Sequence, residues 1–136
     1  MTNSDVPNEQ YTSVPTILPE RLSLMGVRDD EEGFRILLQP EAGGNFFRIS
    51  YSTVMFYQKS REGERLKTFE TLVNSRANTM PIYLVENSKL IKWFDKENLE
   101  LKGYVADTRF KHWAIVVLDY WVDVLSYVEP IIEELP

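Results

Sequence analysis

The chain contains no cysteine, a single histidine (His112), and no uninterrupted apolar run approaching the ~18 residues that a membrane-crossing helix needs. Each absence closes a class of chemistry. Without thiols there is no Cys nucleophile, no Cys-based zinc cluster and no disulfide framework, and one histidine cannot supply a paired-His metal motif. Acidic residues are plentiful, which leaves carboxylate chemistry and carboxylate-based binding surfaces open. Met1-Thr2-Asn3-Ser4-Asp5 lacks the basic-then-apolar order of a secretion signal. The expectation is a cytoplasmic protein without cofactor or metal.

The 136 residues, 43% of them hydrophobic, suffice for one domain with its own core. Charge is unevenly spread over the net −6. Residues 1–33 carry seven acidic side chains against Arg21 and Arg28, and residues 112–136 carry five acidic and no basic ones. The middle of the chain is basic. An acidic surface repels phosphate backbones and steers basic proteins toward itself, so direct nucleic-acid binding is disfavoured and a basic protein partner is favoured.

Residues 1–16 are polar, hold Pro7 and Pro15, and show no apolar periodicity, so they read as a flexible arm before a domain over 17–136. Leu22–Val27 and Phe34–Gln39 read as strands around the acidic turn Arg28–Gly33, and Pro40–Asn45 is a breaker cluster. Phe47, Ile49, Tyr51 and Thr53 alternate with polar residues, and the strand is expected to continue to Tyr57. The stretch 58–79 is loop-like, with a short helix conceivable around Leu66, Phe69 and Leu72. Pro81–Glu86 reads as another strand. Asn87 or Ser88 then caps a helix whose stripe is Leu90, Ile91, Trp93 and Phe94, ending near Asn98 or Leu99, with Lys89, Lys92, Asp95 and Lys96 toward solvent. His112–Leu118 and Trp121–Leu125 form a hairpin about Asp119-Tyr120. This order predicts an α+β fold: an antiparallel twisted sheet with one main helix packed on one face.

Candidate chemistry is sparse. His112 reads as a strand-end residue rather than a catalytic base, and Asp29–Glu32 lacks the ligand spacing of a calcium loop. Glu100-Leu101-Lys102 with Asp95 upstream has the acidic-x-Lys form of some metal-dependent nucleases, which keeps a small carboxylate hydrolase or nuclease as an alternative. The other features cluster near the C-terminus. Asp119, Tyr120, Trp121, Asp123 and Glu129 combine aromatic and carboxylate groups of the kind that anchor protein partners. An accessory subunit using such a patch to oligomerise is a third reading.

The segments Val85–Ser88 through Trp93-Phe94, and His112–Ile115 through Asp119–Leu125, together with Phe47–Tyr57, resemble small standalone bacterial proteins of the toxin-immunity type, over roughly the last two-thirds of the chain. The resemblance implies a noncatalytic inhibitor that binds a cognate toxin, and it transfers no individual functional residue.

Overall fold

The computed structural model describes residues 9–61, 80–102 and 110–136, and the side chains of all of these except 98–102. The fold is α+β and dominated by antiparallel strands, as expected, but the strands divide into two sheets rather than one. In chain order the elements are β1 (Gln10–Ser13), β2 (Leu22–Asp30), β3 (Gly33–Pro40), β4 (Phe47–Tyr51), β5 (Phe56–Arg61), β6 (Ile82–Glu86), α1 (Lys89–Lys102), β7 (Lys111–Val117), β8 (Tyr120–Ser126) and β9 (Ile131–Glu134). Sheet 1 runs β1-β6-β7-β8-β5 and sheet 2 runs β2-β3-β4-β9.

Turn chemistry fixes the local registers. Asp30 pairs with Gly33 across Glu31-Glu32, and Gly33 sits at φ 103°, a conformation that L side chains rarely adopt. Asp30 Oδ1 accepts the Glu32 N–H at 2.9 Å, while Arg35 reaches back to Asp30 and Glu32 at 2.6 Å each. The acidic run is therefore a turn held by its own hydrogen bonds. At the β7–β8 hairpin Val117 pairs with Tyr120, so the loop is Leu118-Asp119, with Asp119 at φ 67°. That loop begins one residue earlier than expected.

The two sheets pack face to face. Leu22, Phe34, Ile36, Leu38, Ile49 and Tyr51 of sheet 2 meet Ile82, Trp113, Ile115, Val117, Val122 and Val124 of sheet 1 in one buried cluster. The opposite face of sheet 1 buries a second cluster of Tyr83, Val85, Ala114, Val116 and Trp121. Because side chains alternate along a strand, β7 and β8 must be apolar on both faces, which is why their sequences read as almost continuous hydrophobic runs.

Three expectations are corrected. The run Phe47–Tyr57 is not one strand: it breaks at Ser52–Met55, and its two halves join different sheets. The arm expected over 1–16 is docked from Gln10 onward as edge strand β1, paired with β6 from Gln10↔Glu86 to Ser13↔Tyr83. The helix extends to Lys102. Its Leu90, Ile91 and Phe94 are half-buried as a stripe should be, but Trp93 is 47% exposed and Asp95 is half-buried. Most of the stretch 58–79 lies outside the described residues, as do the side chains of Glu100 and Lys102; residues 58–61 belong to β5.

Candidate functional site

A polar chain lies inside the second cluster, where α1 begins over sheet 1. Asn87, at φ 55°, turns the backbone from β6 into the helix, and Ser88 caps α1 by accepting the Ile91 N–H on Oγ at 3.0 Å. The Ser88 Oγ is also 2.7 Å from His112 Nδ1. His112 Nε2 in turn is 2.7 Å from Asp123 Oδ1. Asp123 accepts further hydrogen bonds from Trp121 Nε1 at 3.2 Å and, on Oδ2, from Gln58 Nε2 at 3.2 Å. Ser88 is 4% exposed, His112 2% and Asp123 0%.

The hydrogen-bond inventory assigns the roles. The carboxylate only accepts, so the imidazole proton belongs on Nε2; Nδ1 then accepts the Ser88 hydroxyl proton, and Ser88 Oγ keeps a lone pair for the Ile91 N–H. This is a linear Ser–His–Asp relay with the hydroxyl within proton-transfer distance of the ring. Chemically it could activate Ser88 as a nucleophile, but only for a substrate able to reach a hydroxyl that the fold covers. Its immediate physical effect is to tie the amino end of α1 to β7 and β8 through groups that would be costly to bury unpaired.

The sequence-derived candidates separate into two groups. Asp119 and Glu129 are exposed and Tyr120 is half-buried, with Lys59 and Arg61 stacked near its ring at 4.8 and 5.8 Å. Trp121 and Asp123 are fully buried and cannot form a surface patch with them. The reason is strand alternation: positions 121, 123 and 125 face the helix layer, the same side as His112, Ala114 and Val116. His112, read as a strand-end residue, does lie at the start of β7, but its side chain is in the core. Among the described residues no group of three or more His, Asp or Glu side chains is arranged to hold a metal ion.

Aromatic side chains break the surface elsewhere. Phe56 touches Trp93 and Phe94 (ring centroids at 5.3 and 6.0 Å), Phe94 touches Phe110 (5.7 Å), and Phe110 touches Tyr127 (5.6 Å). The two ends of this run, Trp93 and Tyr127, are 47% and 41% exposed. The stripe reading of Trp93 concealed this, and only its position beside Lys89, Lys92 and Lys96 on the helix could have signalled a surface placement. On the outer face of sheet 2, a cavity of about 630 Å³ is lined by Arg35, Arg48, Ser50 and Ile131 among others. No protein-family model, curated protein or solved structure matches the chain.

Proposed function

We propose that the chain is a noncatalytic binding protein of the immunity type, which neutralises a cognate bacterial toxin by covering its active site. The observation that carries this reading is the aromatic run that surfaces at Trp93 and Tyr127. A tryptophan and a tyrosine held by neighbouring rings are preorganised anchors, and anchors of this kind dominate protein-protein affinity. Exposed Glu129, two residues from Tyr127, adds an acidic group suited to a basic partner, whereas Asp119 lies at the far end of β8. The test is titration of the purified chain against the product of the neighbouring gene at two ionic strengths. Trp93→Ala and Tyr127→Ala should each weaken binding at least tenfold while leaving the fold intact. Undiminished affinity in both variants would remove the aromatic run from the interface.

A second reading, a small hydrolase, is favoured by one observation, the Ser88–His112–Asp123 relay. It requires Ser88 to open to solvent. Labelling of Ser88 by a fluorophosphonate probe, abolished in Ser88→Ala, would promote it over the binding reading.

A further inference from the structure

The seat of β1 is built from three recognition elements. Backbone pairing runs along β6 from Glu86 to Tyr83 and is extended by the Val14 N–H donating to the Ile82 carbonyl at 3.0 Å. At the amino end of α1, Glu9 Oε2 accepts the Lys89 N–H at 2.8 Å, a carboxylate placed where the helix dipole favours it. Between the two, the Tyr11 ring stands edge-on to Tyr83 at 6.2 Å and to Trp121 at 6.0 Å. All of these contacts are made to β6, β8 and α1. The chain then leaves the seat through Pro15, Thr16 and Ile17 before Leu18 returns to the core.

We infer that this seat is an interface between copies of the chain, on which two molecules exchange residues 9–14. Every contact made by the arm within one molecule can be made without change to the seat of another, so exchange costs no interaction and only a hinge must open. The hinge suits that role. Pro15 fixes its own φ and holds Val14 in extended geometry, which favours an arm reaching outward. Ile17 is 63% exposed within it, an apolar side chain that acquires a neighbour when two extended hinges run side by side. The occupant is a second copy because it carries the same Glu-x-Tyr strand at equal concentration.

A short hinge gives the arm an effective concentration on its own seat of about millimolar, so closed single molecules dominate at micromolar concentration and exchange appears near millimolar. The cysteine-free sequence makes this directly measurable. Gln10 and Glu86 are exposed register partners. Full-length Gln10→Cys and Glu86→Cys chains, unfolded together and refolded near millimolar concentration with oxidant, should give a disulfide-linked mixed pair whose share falls at least tenfold on refolding at micromolar concentration. A mixed pair no more abundant than the like-with-like pairs would overturn the inference. As an independent readout, the doubly substituted chain should close within itself at micromolar concentration and link between chains at millimolar concentration; closure wholly within single chains at both concentrations would overturn it equally.

Discussion

His112 Nε2 lies 2.7 Å from Asp123 Oδ1 with both side chains out of contact with solvent, so the two residues form a buried pair that bridges adjacent strands beneath the helix cap. Removing one partner leaves the other without its hydrogen bond in a site that water does not reach. His112→Ala should therefore destabilise the fold by about 3–5 kcal/mol, and Asp123→Ala by a similar amount. Chemical denaturation measures both. The double variant should cost clearly less than the sum of the two, because the second removal no longer strands a partner.

The Tyr51 hydroxyl is buried between the sheets and has no hydrogen-bond partner among the described residues. Burial pushes its pKa well above the ordinary phenol value. A raised folded-state pKa means that the folded form retains a proton that the unfolded form releases, so its contribution is whole below about pH 10 and is lost as pH rises beyond that. Tyr51→Phe should be neutral or stabilising by up to about 1 kcal/mol at pH 7 and should shift alkaline unfolding to higher pH. Thermal melts between neutral pH and pH 11 give both quantities.

Phe94 is half-buried among Phe56 and Phe110, whereas Lys92 on the same helix is exposed. Phe94→Ala should cost about 2–3 kcal/mol, below the range for a fully buried phenylalanine, and Lys92→Ala should stay within about 0.5 kcal/mol. Urea titration of the two variants separates them.

Tyr11 contributes the only ring of β1 to the cluster containing Trp121. Tyr11→Ala should lower stability by about 2 kcal/mol and shift tryptophan emission toward longer wavelength as Trp121 gains water. An unchanged melt together with unchanged emission would mean that the arm does not seat.

Much of sheet 2 was legible in the sequence because its signals are local. Gly33 after an acidic pair, the breaker cluster following Gln39 and the alternation from Phe47 each act within a few residues, and Ser88 was recognisable as a cap for the same reason. β1 was not legible: Gln10–Ser13 has no periodicity of its own and becomes a strand only because β6 offers an unpaired edge. The break after Tyr51 was hidden because apolar residues continue on both sides of it while the partners change. The relay was hidden by a small error with a large effect. Moving the hairpin loop to Leu118-Asp119 shifts the pairing by two residues and brings Asp123 opposite Ala114, one step along the same face from His112. The continuous apolar runs of β7 and β8 do signal that this face is buried, but that Ser88 lies over it depends on where α1 begins, which the strand sequences do not encode.

The ladder between β4 and β9 places Ile49 opposite Ile132 and Arg48 opposite Glu133, so sheet 2 gains its last strand with 79 residues (52–130) intervening after the end of β4. Sheet 1, likewise, takes its first strand from Gln10–Ser13 and the rest from beyond Met55. Such distant pairings make folding slow relative to helical domains of equal size. A nascent chain on the ribosome cannot complete either layer early: β2, β3 and β4 wait with the β4 edge unpaired until Ile131–Glu134 is available, and during that interval the unpaired edge is open to pairing with strands of other chains.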